Sequence, residues 1–190
     1  MEFTRRFVGE AGIGLFLLIL GLLFSQPVLL LGTIGIWIFL FVRQIVFARS
    51  VIRTNDQLEL DYTLSHEFIG TDGTSFVTLA ARLEEPSPVD LMIELEPPLS
   101  AEVANRDDCR LQIRTGEREA TSIIRLTWPI PGRFEFPSTH ITTSDPIGTF
   151  QATFERVPDI AIRVEPKGPR SMHVGMGGDM IATAFGEHTS

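Results

Sequence analysis

Residues 11–42 form a run of 32 without one ionisable side chain, and no other feature limits so sharply what this chain can fold into. As a single α-helix the run would reach about 48 Å at roughly 1.5 Å per residue, well past the roughly 30 Å hydrocarbon core of a bilayer. Ser25, Gln26 and Pro27 interrupt it near its middle, and proline ends one helix while suiting the first turn of the next. The pattern predicts a transmembrane helical hairpin within residues 1–53, with helices at about 7–24 and 27–47. Glu10 lies near enough to the first helix's end to reach the headgroups, and Arg43 must snorkel. Gly12, Gly14, Gly21, Gly32 and Gly35 are small residues that would let the two backbones approach. A cleaved signal peptide would also begin with Arg5 and Arg6, but no small-x-small site follows Phe24 and a second apolar stretch comes at once.

The charges divide at the same place. Residues 1–53 carry five Arg against two Glu, a net +3, whereas residues 54–190 carry 11 bases against 22 acids, a net −11. Arg5 and Arg6 precede the first helix, Arg43, Arg49 and Arg53 follow the apolar run, and the intervening turn is uncharged. Both ends of the hairpin are therefore expected in the cytoplasm, and the polar domain with them. So acidic a domain argues against nucleic acid, which requires a basic footprint. Of the 16 bases only Lys167 is lysine. An acidic, lysine-poor balance suits molar salt, where the Debye length falls to about 3 Å, and predicts a salt-loving archaeal source. A GC-rich genome would account equally for the Arg bias, though not for the acid excess.

Beyond Arg53 the apolar run gives way to alternation. Leu58, Leu60, Tyr62 and Leu64 are spaced two apart with polar residues between, the period of a half-buried strand. Further strands are predicted at 76–83, 90–95, 101–105, 109–114, 120–127, 133–136, 140–143, 150–154 and 160–165. Pro-rich breaks at 85–88, 96–98 and 128–132 mark turns or edges. Residues 54–167 thus read as an all-β domain, a two-sheet antiparallel sandwich of immunoglobulin-like architecture, and the glycine-rich residues 168–190 as a flexible tail. In Ser144-Asp145-Pro146-Ile147-Gly148 the residue types at each position are those a type I turn prefers, which favours a structural over a ligand role.

Chemistry is sparse. The single Cys109 excludes an internal disulfide, and no Cys/His cluster offers a zinc site. His66, His140, His173 and His188 have no metal-ligand partner three or four residues away, so they read as surface or loop residues. No GxSxG elbow places a nucleophile. Glu84-Glu85 and Asp107-Asp108 are adjacent pairs that a strand would split between its two faces, and the latter lacks the DxDxD spacing of a calcium loop. Val174-Gly175-Met176-Gly177-Gly178 lacks the Lys and Ser of a phosphate loop. No metal, cofactor or small-molecule substrate is expected, and no enzyme.

Three segments together carry a resemblance. Pro131-Gly132-Arg133-Phe134-Glu135-Phe136-Pro137, then Ser144-Asp145-Pro146-Ile147-Gly148-Thr149-Phe150, then Val164-Glu165-Pro166 resemble the conserved stretch of the DUF58 family of membrane proteins. The order matches too, with two N-terminal transmembrane helices before a β-rich domain, over about residues 1–170. Pro131 stands where family members usually carry a basic residue. Nothing after Gly178-Asp179 matches the GDxxRxIxW-like opening of the family's von Willebrand A-like domain, which implies a fragment, a split gene or a stand-alone relative. The resemblance further implies a neighbourhood with MoxR-type AAA+ ATPases. The expected function is a membrane-anchored, non-enzymatic scaffold, with Arg133, Asp145 and Gly148 as candidate partner contacts and an AAA+ ATPase as first candidate partner. The alternative is an extracytoplasmic ligand-binding or adhesion sandwich held by the same hairpin.

Overall fold

The structure is a computed structural model that describes residues 2–167; the expected tail at 168–190, with His173, His188 and the glycine-rich 174–178, lies outside the described residues. A two-residue strand, β1 (Glu2–Phe3), leads into α1 (Arg5–Leu23), and α2 (Pro27–Gln57) follows antiparallel to it. Thr4 caps α1, its hydroxyl accepting from the Phe7 N–H at 3.4 Å. The break falls where the sequence places it. Ser25 adopts the left-handed region at φ +51, the Gln26 N–H closes on the Gly21 carbonyl at 3.0 Å, and Pro27 opens α2. Of the five hairpin glycines, Gly14 and Gly21 lie at the crossing. A methyl on Gly14 would stand 3.3 Å from the Trp37 indole nitrogen and one on Gly21 2.9 Å from Leu30, while Gly12, Gly32 and Gly35 face open space.

Both helices are long and apolar enough to cross a membrane, and only 11% of each apolar window is buried within the chain. A core helix of a soluble protein would be covered; here Val8, Phe16, Leu22, Val28 and Leu31 are each more than 60% exposed. The second helix does not stop near residue 47, where the apolar run fades, but continues to Gln57. Phe47, Val51 and Thr54, spaced four and three apart, form a stripe on one helix face, and Phe47 and Thr54 are fully buried. Tertiary packing, not lipid, sustains those last turns.

α2 passes directly into β2 (Leu58–Leu64), followed by β3 (Phe68–Gly70), β4 (Gly73–Leu83), β5 (Asp90–Leu95), β6 (Glu102–Val103), a 3-10 turn (Arg106–Cys109), β7 (Arg110–Ile113), β8 (Glu119–Trp128), β9 (Gly132–Glu135), β10 (Thr139–Ser144), β11 (Phe150–Arg156) and β12 (Ala161–Glu165). A five-stranded sheet in the order β1-β11-β10-β5-β7 faces a four-stranded sheet in the order β2-β4-β8-β6. Every fully buried position on β4, β5 and β8 alternates with a more exposed one, as the sequence period requires. Val77, Leu79, Ile124 and Leu126 from one sheet meet Leu91, Ile93, Ile113 and Ile141 from the other in one core, each such side chain contributing roughly 1.5–3 kcal/mol. The domain is a β-sandwich.

Two features depart from the expected plan. The strands form three sheets rather than two, because β3, β12 and β9 pair separately at the rim. Prolines are the cause: Pro129 and Pro131 cannot donate to a ladder, so the chain leaves the four-stranded sheet at Trp128 and restarts on β12. The β3 to β12 pairing is also parallel, whereas the other pairings are antiparallel. Trp128 closes the core at this rim, donating its indole N–H to the Ser75 hydroxyl at 2.8 Å and stacking on Phe134 with ring centroids 5.3 Å apart. Across the sandwich, Tyr62 on β2 donates to the Thr139 hydroxyl on β10 at 2.8 Å.

Candidate functional site

The most elaborately bonded polar cluster joins the hairpin to the sandwich, and it is built around the β10–β11 turn. The Gly148 N–H donates to the Asp145 carbonyl at 2.7 Å, closing the turn, and Gly148 takes φ +74, a conformation that glycine alone enters at no steric cost. Asp145 then folds its carboxylate back over the turn. Its Oδ1 accepts from the Thr149 and Phe150 N–H groups at 2.5 and 2.8 Å. Its Oδ2 is left to face the helical hairpin.

There it pairs with Arg43 of α2, 102 residues earlier in sequence. The guanidinium also donates to the Thr149 hydroxyl at 3.1 Å, lies 3.8 Å from Glu10 Oε2 on α1, and sits 5.5 and 5.9 Å from the ring centroids of Phe39 and Phe150. The Arg43 and Asp145 side chains are 17% and 9% exposed. A cation at the end of an apolar run is costly unless neutralised, and two carboxylates from two other elements supply that. Aromatic packing surrounds the pair: Phe150 lies 5.6 Å from Phe7 of α1 and 5.8 Å from Phe47 of α2. Thr4 adds its hydroxyl, 2.8 Å from both the Gly148 and Thr149 carbonyls, and Arg6 donates to the Ile147 carbonyl. The backbone of β1 extends the five-stranded sheet beside β11, in register Glu2 to Gln151 and Phe3 to Phe150. On the far side of β11, Arg156 donates to the Leu58 and Asn55 carbonyls at 2.8 and 2.7 Å, clamping the end of α2.

The start of α1 and the middle of α2 therefore meet the sandwich at one turn, and the end of α2 meets it at Arg156. What the arrangement can do is mechanical: α1 and α2 are each tied to the β10–β11 turn and Phe150 by hydrogen bonds and ring contact, and α2 by an ion pair as well, so hairpin and sandwich share one frame. Of the three candidate contacts named from sequence, Asp145 is buried and engaged inside the chain, and Gly148 is the hinge of the same turn. Arg133 is elsewhere. It lies exposed on β9, 3.3 Å from Glu135 and opposite Arg163 of β12, beside an open cavity of about 680 Å³. The sequence sends Glu10 to the headgroups and Arg43 snorkelling, whereas in the structure Arg43 turns inward to Asp145 with Glu10 beside it; Thr4 and the ring of Phe150 were not singled out. The one available signal was an isolated arginine at the end of the apolar run, which requires a carboxylate partner that spacing alone does not name.

A second cleft, of about 1080 Å³, opens between β5 and the 3-10 turn, lined by Glu94, Glu96, Glu102, Asp107, Arg110 and His140 among others. His140 Nδ1 stands 3.1 Å from Glu155 and its Nε2 3.2 Å from the Ser138 hydroxyl, which is also 3.0 Å from Glu96. The spacing resembles a nucleophile relay, but the single Ser138 proton is shared with a carboxylate and the group sits on an open sheet face. Cys109 borders this cleft and is 5% exposed; burial pushes its thiol up, and the Asp108 and Glu94 carboxylates push it further, leaving it a poor nucleophile. Among the described residues no three metal-ligating side chains converge. Asp107 and Asp108 are held by Asn105, and Glu85 pairs with Arg53 at 2.5 Å.

No family model and no curated protein matches the chain. Among solved structures it is similar to the cupredoxin domain of amoB from Nitrosocaldus yellowstonii, with 16% identity and a TM-score of 0.39 over 60% of this chain and 93% of that one. A likeness of that size says nothing about metal or chemistry here.

Proposed function

We propose that this chain is a membrane-anchored, non-enzymatic scaffold whose immunoglobulin-like sandwich is held in fixed orientation against the bilayer. The observation that carries this is the Arg43–Asp145 pair: a sandwich that only needed tethering would hang from a linker, whereas here the start of α1 and the middle of α2 are both bolted to one turn. A fixed platform suits docking of a partner, and the acidic cleft and strand edges are the surfaces left for one. The likeness of the 131–137, 144–150 and 164–166 segments to the DUF58 family supports an AAA+ ATPase of MoxR type as that partner. The basic flanks of the hairpin favour the cytoplasmic side of the cell membrane.

Sidedness and anchoring are tested together. Leu99 is fully exposed on the sandwich and Cys109 is buried, so a Leu99→Cys variant carries one reactive thiol. In intact cells an impermeant maleimide should leave it unlabelled until the membrane is opened, and alkaline carbonate should not extract the chain. Labelling of intact cells would place the sandwich outside and remove the ATPase from consideration.

A further inference from the structure

We propose that the tip of the 145–148 turn and the first turn of α1 form a contact site for anionic phospholipid headgroups. The proposal rests on the membrane reading above and specifies the lipid. Arg6 donates to the Ile147 carbonyl, so the turn tip and residues 5–8 of α1 are held at one level. At that level the lipid-facing surface of the hairpin begins: Val8 is 64% exposed, and Ile147 is 48% exposed although it sits on a polar turn. An isoleucine at that place reads as an interfacial wedge.

Charge selects the headgroup. Among the described side chains, the junction carboxylates Glu10 and Asp145 are both directed at Arg43. Arg6 meets a neutral carbonyl and keeps its full charge, and neither Arg5 nor Arg49, both exposed, has an ion-pair partner among the described residues. Guanidinium groups at a membrane surface, next to an apolar side chain, match a phosphate above an acyl chain. The need is real, because a domain of net −11 would otherwise be repelled by an anionic leaflet.

The full chain would be reconstituted in vesicles of equimolar phosphatidylcholine and phosphatidylglycerol, released gently, and its retained lipids counted by native mass spectrometry. Phosphatidylglycerol should be retained about five-fold over phosphatidylcholine, falling to parity in Arg5→Gln/Arg6→Gln and persisting in Arg5→Lys/Arg6→Lys. A dye on Ile147→Cys in a Cys109→Ser background should shift to the blue on reconstitution. Insertion is read separately, from quenching of Trp37 by brominated acyl chains. Quenching without phosphatidylglycerol preference overturns the lipid site and leaves the anchor standing. Absent quenching removes the anchor, and the site with it. Displacement of the lipid by millimolar inorganic phosphate would assign the arginines to a free anion and overturn the proposal.

Discussion

The hairpin and the sandwich bury opposite things. In α1 and α2 the large apolar side chains point outward and the small residues Gly14 and Gly21 lie at the contact, whereas in the sandwich the large side chains point inward. One region leaves its large apolar surface uncovered by the chain, the other excludes water from it. Between them, at the 145–150 turn, neither rule holds, and the chain relies instead on a paired charge inside an aromatic cluster.

The largest effect should come from confusing the two regimes. Trp128→Ala removes the biggest fully buried side chain and orphans the Ser75 hydroxyl, and should cost about 4 kcal/mol in a denaturant titration of the sandwich. Leu22→Ala on the hairpin, 64% exposed, should change the same titration by less than about 0.5 kcal/mol. Equal costs would mean that the hairpin is an ordinary core.

The junction should respond next. Arg43→Ala leaves the Asp145 carboxylate without its cation and should cost about 3 kcal/mol, with faster amide exchange at Thr149 and Phe150. Arg43→Leu/Asp145→Asn, which removes both charges and keeps an oxygen acceptor for the Thr149 and Phe150 N–H groups, should recover part of that stability. A double variant as unstable as the sum of its single changes would show that the two residues act independently.

The smallest effect concerns pH. Burial holds the Tyr62 phenol above its ordinary value, and burial with neighbouring carboxylates does the same to the Cys109 thiol. Both groups therefore favour the folded state when protonated. Their contribution is complete below the ordinary thiol range and is lost as pH rises from about 9 upward. Melting of the sandwich followed from pH 8 to 11 should decline, less steeply in Cys109→Ala. An identical slope would remove Cys109 as a contributor.

The neutral run, its break at Pro27 and the strands with strict alternation, such as β4 and β5, could be read along the chain, because each is carried by the types and spacing of consecutive residues. The glycine turn at 145–148 was legible for the same reason. The strands β1 and β3 were not: two or three residues carry no period, and their existence depends on β11 and β12 being alongside. Nor was the length of α2, since the stripe of Phe47, Val51 and Thr54 becomes apolar-facing only when Phe150 and Val89 are placed beside it.

Local order, and the division into an apolar and a polar part, were thus determined by residue type and spacing, which act over one or two turns of chain. Which strands share a sheet, that there are three sheets, and that Arg43 finds Asp145 were decided by the tertiary structure. The reason is that a charge pair acts over a few ångströms of space, and 102 residues of sequence separate its members until the chain folds.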